Sequence, residues 1–231
     1  MDIIDQALAR NQRALSEHEA KNLLSAYGIP VTREIPATSR ESAVDAAGQL
    51  GYPVVLKGTG ADLMHKTESG VVFVNIEDEA GLTGAYDTIA ERLGSAFEGV
   101  LVQEMVSGKR ELVLGLHREP QFGPCVMLGL GGVLTEVIND TVFRVAPFDE
   151  VEARDMAAGL RSRDILKAFR GEAAADMDTL VHCLRTLGRI GLEHDSIAEI
   201  DINPVIITLD GGLRAVDALV VLKEDKNDAQ N

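Results

Sequence analysis

The stretch "VVLKGTGADLMHKTESGVVF", residues 54–73, decides how this chain is read. From Gly60 it runs G-A-D-L-M-H-K-T, one letter away from the phosphate-binding pattern G-x-x-x-x-G-K-[ST]. His65 stands where the second glycine belongs. In a phosphate-binding loop that glycine lets the backbone come close to phosphate oxygens, and a β-carbon there obstructs the approach. Such a loop also opens a helix, whereas "ESGVVF" has the composition of a strand. The stretch is therefore read as a strand ending at Lys57, a glycine-containing loop that carries His65, and a second strand. Lys57 is placed to reach a phosphate, with Gly58 and Gly60 admitting the backbone beside it. An ordinary solvated lysine fits those residues equally well.

Composition limits what the chain can do. Its 231 residues carry 37 acidic and 22 basic side chains, a formal charge of −15. That argues against a broad nucleic-acid or acidic-membrane surface, both of which need a basic field. A nucleotide needs only a few local cations. Tryptophan is absent and aromatics make up 4%, so the core must come from Val, Leu, Ile and Ala. Cys125 and Cys183 have no metal-ligand spacing, which suits two packed thiols in a reduced, cytoplasmic setting. The segment "MDIIDQALARNQ" lacks the apolar region of a signal peptide, and no apolar run reaches membrane length.

Helical and strand patterns alternate in the first half. Ser16 with Glu19 spells a capping box, and Gly28 stops the helix it opens. A short strand is expected near Val31, and Thr38 with Glu41 spells a second box for a helix that ends at Gly51. Strands over "YPVVLK", "GVVFVNI" and "GVLVQEMV" follow, with a helix over 78–94. The second half reads as strands "ELVLGLH", "PCVMLGLGG" and "TVFRVAPF", then helices over about 149–170 and 176–191. Two last strands, "IAEIDINPVIIT" and "LRAVDALVVL", are joined by the hairpin signal Leu209-Asp210-Gly211-Gly212. The class is α+β: one domain over 1–231 with two α/β lobes and a bend near 105–110. The lobes are expected at 21–106 and at 1–20 plus 107–222, with 223–231 a frayed tail.

Several residues then become candidates. Glu104 lies at the bend and Glu111 starts the next strand; carboxylates there can accept from an adenine amine or ribose hydroxyls, though solvent-facing strand residues read as well. "GLGGVLTEVINDTVFR" is glycine-rich without a dinucleotide fingerprint, because Leu134 sits where a third glycine is required. It can bring backbone N–H groups and Arg144 towards a phosphate, or simply turn. Glu199, Asp201 and Asn203 share a strand face by the period of two, and Asp217 lies in the partner strand. Acidic groups in an apolar hairpin need pairing or a cation, and hard oxygens suit Mg²⁺. A local salt bridge is the alternative. His18, His117, His182 and His194 read as solvated.

Together these motifs resemble a family. "YPVVLK…HKTESG", "VLVQEMVSGKRELVLGL", "GLGGVLTEVINDTVFRVAP", "LKAFRGEAAADMDTL" and "AEIDINPVII…AVDAL" are similar, in that order, to the ATP-grasp module of ADP-forming acyl-CoA synthetases. The acetyl-CoA synthetase β subunit is the nearest form and succinyl-CoA synthetase a more distant one. The resemblance covers about residues 15–222. It implies an ATP-grasp fold with the nucleotide cleft between the lobes, ATP or ADP as nucleotide, and Mg²⁺. Lys57 matches the phosphate-holding lysine. Glu104 matches the hinge glutamate, with the backbone near Met105 and Val106 reading adenine, and Glu111 lies near the ribose. Asn203 and Asp217 match the metal ligands, and Asp201 the acidic position beside them. Arg144 and the Gly131-Gly132 turn match the element facing the phosphates. His65 matches the loop histidine proposed to carry phosphate between an α-subunit histidine and ADP.

One departure is visible. Val71 stands where the family has a second glycine after the histidine, which stiffens the base of the loop. The resemblance also implies a CoA-binding α subunit, with α2β2 as one arrangement, since the family's CoA-binding and ligase domains are not in these 231 residues. The implied reaction is acid + CoA + ATP = acyl-CoA + ADP + phosphate. A stand-alone carboxylate–amine ligase and a non-catalytic nucleotide-binding regulatory subunit are the competing readings.

Overall fold

The computed structural model describes residues 3–60, 70–132 and 140–223. His65 and the rest of 61–69, and the tail 224–231, lie outside the described residues. The chain forms two compact units, one of Met1–Val31 with Ser107–Asn231 and one of Thr32–Val106.

Two helices open the chain, α1 (Ile3–Ala9) and α2 (Glu17–Ala26). The Ser16–Glu19 capping box forms as the sequence spells it. The first lobe was expected to begin at residue 21, which would cut α2 in half. Instead α2 belongs wholly to the larger unit, because Ala20, Leu23 and Leu24 bury in that unit's core.

The smaller unit is a four-stranded antiparallel sheet in the order β1-β4-β2-β3. Its strands are β1 (Glu34–Ala37), β2 (Val54–Gly60), β3 (Val72–Ile76) and β4 (Phe97–Glu104). Helices α3 (Arg40–Leu50) and α4 (Glu79–Leu93) pack on the face that carries Val54, Leu56, Val100 and Val102. The strand expected near Val31 is β1, three residues further on; Val31 itself makes only an isolated bridge to Ala215. The cap of α3 is Ser39 rather than Thr38. Ser39 holds the extended conformation and its hydroxyl accepts from Ser42 N–H at 3.1 Å, with Ser42 returning the second half of the box.

The larger unit is built on a six-stranded sheet in the order β10-β8-β5-β6-β7, with β9 paired to β8. The strands are β5 (Arg110–Glu119), β6 (Gly123–Leu130), β7 (Thr141–Val145), β8 (Ile197–Ile207), β9 (Leu213–Ala215) and β10 (Leu219–Leu222). Helices α5 (Glu150–Gly159) and α6 (Met177–Glu193) join the core beneath Leu112, Leu114, Leu116, Val126 and Leu128. Among the described residues, no helix is long and apolar enough to cross a membrane.

Three local departures shape this unit. The helix expected over 149–170 stops at Gly159, and a short 3-10 turn follows at Arg163–Leu166. Buried Asp140 accepts from the backbone N–H groups of Arg161 and Ser162 at 2.9 and 2.7 Å, offering them a partner outside the helix. The final strand "LRAVDALVVL" divides into β9 and β10, with Asp217 between them. In β8, Ile202 pairs with Leu114 and Val205 with Leu112, so β8 has one residue more than β5 across that interval. This bulge lets Ile202 and Val205 both point into the core.

Buried Arg110 organises the segment after α5. Its guanidinium donates to Glu172 Oε2 at 3.0 Å and to the carbonyls of Ile165, Lys167 and Ala173 at 3.1, 2.9 and 2.6 Å.

Candidate functional site

One face of the larger sheet faces the helices, and the other carries the candidates Glu111, Asp201 and Asn203. On β5 the second face carries Glu111, Val113, Gly115 and His117. On β8 it carries Glu199, Asp201 and Asn203, ahead of the bulge. Asp201 lies directly opposite Gly115, and Glu199 opposite His117. Asn203 N–H donates to the Asp217 carbonyl at 3.2 Å, which draws the β9–β10 connection alongside Asn203. The Asp217 carboxylate accepts from Ala218 N–H at 2.8 Å. Asp201, Asn203 and Asp217 are thus brought together, as the hairpin spacing suggested. The Asp201 carboxyl is pushed above the ordinary range, first by burial and then by the charges of Glu199 and Asp217.

Glu111 and the glycine turn also meet. Gly131 N–H donates to the Glu111 carbonyl at 2.8 Å. A β-carbon at Gly131 would lie 2.9 Å from both the backbone carbon and Cβ of Glu111, so only glycine permits this approach. Gly132 has a positive φ, and the Glu111 carboxylate lies 3.4 Å from the place its β-carbon would take. The pairing puts a carboxylate directly over a glycine turn.

Arg144 is not brought to this face. It pairs with Val126, a core residue, so strand alternation directs it to the helix side while Phe143 and Val145 point the other way. Its Nε lies 3.9 Å from Glu152 of α5, too long for a hydrogen bond, and has no hydrogen-bond partner among the described residues. The register of β7 thus sets Arg144 on the helix side of the sheet, where the sequence had grouped it with Gly131 and Gly132.

In the smaller unit Lys57 is 3% exposed, paired with Val72 on one side and Leu101 on the other. It shares the second face of that sheet with Val55, Leu101 and Gln103, all buried. A lysine so deeply placed is not the solvated strand-end residue that composition alone allowed. Glu104 ends β4, and Met105 and Val106 follow as the exposed and half-buried start of the connection. Sequence reasoning missed the partner of Glu104. Arg33 donates to Glu104 through its backbone N–H and its guanidinium at 2.9 and 2.6 Å.

The segment bearing His65 is bounded by described residues. Gly58 N–H donates to the Val71 carbonyl at 2.8 Å, and Arg92 of α4 donates to the Gly70 carbonyl while lying over the Phe73 ring. Val71 is fully buried in the core of the smaller unit. The residue that replaces the family glycine is thus a packing residue.

Among the described residues, no three or more His, Cys, Asp or Glu side chains form a group that could hold a metal ion. The donor set still suits Mg²⁺, which takes one or two protein oxygens and completes its shell with phosphate and water. Asp217 and Asn203 offer hard oxygens, and Asp201 stands beside them, its carboxyl raised first by burial and then by the charges of Glu199 and Asp217.

A sheet with a carboxylate–amide cluster in one unit and a sheet with a buried lysine in the other fit the ATP-grasp class. Residues 6–222 match the ATP-grasp domain family. The β subunit of ADP-forming acetate–CoA ligase I from Pyrococcus furiosus is 38% identical over 226 residues, 96% of this chain and 97% of that one. A 4-hydroxybutyrate–CoA ligase (ADP-forming) from Nitrosopumilus maritimus is 36% identical, and there the match spans 32% of the relative's length. Among solved structures, acetyl-coenzyme A synthetase 1 of Candidatus Korarchaeum cryptofilum, in complex with coenzyme A and Ca-AMPCP, superposes with a TM-score of 0.91 at 41% identity. That match covers 96% of this chain and 99% of that chain. Another structure of that protein, with coenzyme A and Mg-AMPPCP, has its phosphohistidine segment pointing towards the nucleotide-binding site. This chain belongs to the ATP-grasp family and, within it, to the β subunits of the ADP-forming acetate–CoA ligases.

Proposed function

We propose that this chain handles the nucleotide half of an acyl-CoA synthesis: acid + CoA + ATP = acyl-CoA + ADP + phosphate, worked with a CoA-binding α subunit. The observation that carries the reading is the gathering of Glu111, Asp201, Asn203 and Asp217 on one sheet face beside a glycine turn. Lys57, buried in the strand that leads to His65, is the cation that the smaller unit offers to a phosphate. Phosphoryl transfer is mostly positioning and charge neutralisation, so such residues carry most of the work.

In this reading Lys57 holds a phosphate oxygen and Glu111 accepts from the ribose. The Gly131-Gly132 turn, held against Glu111 by the Gly131 N–H, faces the phosphates. Asn203 and Asp217, with Asp201 beside them, would hold Mg²⁺, which supplies neutralising charge to the phosphate oxygens when bound. His65 takes the γ-phosphoryl group of ATP on a ring nitrogen, releasing ADP, because a neutral imidazole is nucleophilic near pH 7, and passes it on to the α-subunit histidine. The α partner is supported by the separate β subunit of Pyrococcus and by the relatives three times this chain's length. An α2β2 assembly and a cytoplasmic setting complete the proposal, the latter supported by two buried, unpaired thiols.

The test is phosphoryl labelling. The chain is purified with its α partner, given γ-labelled ATP and Mg²⁺, and examined for acid-labile, base-stable phosphate. Label on this chain that disappears in His65→Ala is the expected result. Full label in His65→Ala would remove His65 from the relay. A complex that binds Mg·ATP yet takes no label would favour a regulatory subunit, and turnover without a partner would favour a stand-alone ligase.

A further inference from the structure

Residues 33 and 104 are joined at three points. Arg33 N–H donates to Glu104 Oε1 at 2.9 Å, Arg33 Nε donates to Glu104 Oε2 at 2.6 Å, and Glu104 N–H donates to the Arg33 carbonyl at 3.0 Å. A fourth bond, from Arg33 Nη2 to the Leu50 carbonyl at 3.3 Å, ties the guanidinium to the end of α3. Both carboxylate oxygens of Glu104 are therefore engaged by one residue, and the charge of Glu104 is matched within the smaller unit. The chain passes between the units twice, at Val31–Thr32 and at Val106–Ser107. Each member of the pair thus sits within a few residues of one crossing.

An arginine whose side chain is 64% exposed gains little from a single surface ion pair. What this one gains is geometry: its planar fork orients a carboxylate, and the two backbone bonds set the strand end that carries it. Met105 and Val106 begin immediately beyond that fixed point. We propose that Arg33 is a positioning residue for nucleotide binding, and that Glu104 acts through its pair with Arg33 rather than by touching the base. The pair holds the two crossing strands together on the smaller unit's side and so presets the backbone of Met105 and Val106. This inference rests on the nucleotide-binding reading above and specifies how one part of that site is built.

The experiment is a double-mutant cycle read by nucleotide affinity. Binding of Mg·ATP and of Mg·GTP is measured by calorimetry on the full chain, at a temperature where every protein is folded by circular dichroism. The proteins are wild type, Arg33→Ala, Glu104→Ala, the double variant and the reversed pair Arg33→Glu with Glu104→Arg. Each single change should weaken both nucleotides by roughly threefold to fivefold, with the ATP-to-GTP ratio unchanged. The double variant should be no weaker than either single one, and the reversed pair should recover most of the loss. Loss confined to Glu104→Ala, with a changed ATP-to-GTP ratio and Arg33→Ala like wild type, would show that Glu104 reads the base and overturn the proposal. Lower melting temperatures with unchanged affinity would reduce the pair to a structural bridge and overturn it too. A wild-type chain that binds neither nucleotide would overturn the functional reading itself, a result distinct from either of these.

Discussion

Replacing Arg110 by methionine keeps most of the apolar stem and removes the guanidinium, so its cost can be worked from the bonds that vanish. Arg110 is 6% exposed and Glu172 is mostly buried beside it. The variant leaves the Glu172 carboxylate without its cation, and breaking a buried pair from one side costs about 3–5 kcal/mol. Three carbonyls, of Ile165, Lys167 and Ala173, also lose a donor. Water entering where the guanidinium stood would compensate part of this. A total of about 4 kcal/mol is the expectation. For a chain of this size that corresponds to a fall in melting temperature of roughly 8–16 °C. Urea denaturation followed by circular dichroism gives the free energy, and limited proteolysis should open the segment 163–176 first. Adding Glu172→Gln to Arg110→Met should restore about 1–2 kcal/mol by removing the stranded charge. A loss below about 1 kcal/mol for Arg110→Met would refute the view that this residue holds the segment in place.

Other outcomes follow from the same geometry. Val71→Gly should restore the family's glycine at a cost of about 3 kcal/mol, since three buried carbons are lost and backbone entropy is added; chemical denaturation measures it. Gly108→Ala should destabilise by about 2 kcal/mol, because its β-carbon would lie 2.4 Å from the Ile207 carbonyl oxygen. Cys183, its thiol pushed up to about 12 by burial, and Cys125, also raised by burial, should resist a thiol reagent at pH 8 in the native chain and react after unfolding. Asp201 has a folded-state pKa above its unfolded value, so its contribution is favourable at low pH and is lost as pH rises through the carboxylate range. Asp201→Asn should therefore melt higher than wild type at pH 7, with the gain shrinking towards pH 4.

Much of the fold was legible because the relevant signals are local. The Ser16–Glu19 box and the Leu209–Gly212 hairpin each sit within a few residues of the structure they specify. The second cap was misplaced by one residue because "TSRES" offers a hydroxyl at either position, and only backbone conformation selects Ser39. The helix end at Gly159 depends on Asp140, twenty-one residues from Arg161, and has no local mark. The site divides the same way. Strand alternation placed Glu199, Asp201 and Asn203 on one face, whereas the meeting of Glu111 with Gly131 comes only from the β5–β6 register. The side of the sheet that Arg144 takes is fixed by pairing with Val126, which neither residue type nor motif order reveals. Arg33 and Arg110 meet their partners 71 and 62 residues away, which no short pattern reveals.

The extra residue in β8 gives one strand two separate duties. Before it, Glu199, Asp201 and Asn203 look away from the core, and substitutions there leave its packing in place. After it, Val205 and Ile207 are sealed in the core, and substitutions there threaten the fold itself. The two halves can therefore drift independently, so a lineage can retune the cluster without reopening the packing. A one-residue deletion between Ile202 and Val205 would be a different event. It would remove the bulge and restore plain alternation, leaving Val205 and Ile207 in the core while taking Asn203 or Pro204 out of the strand.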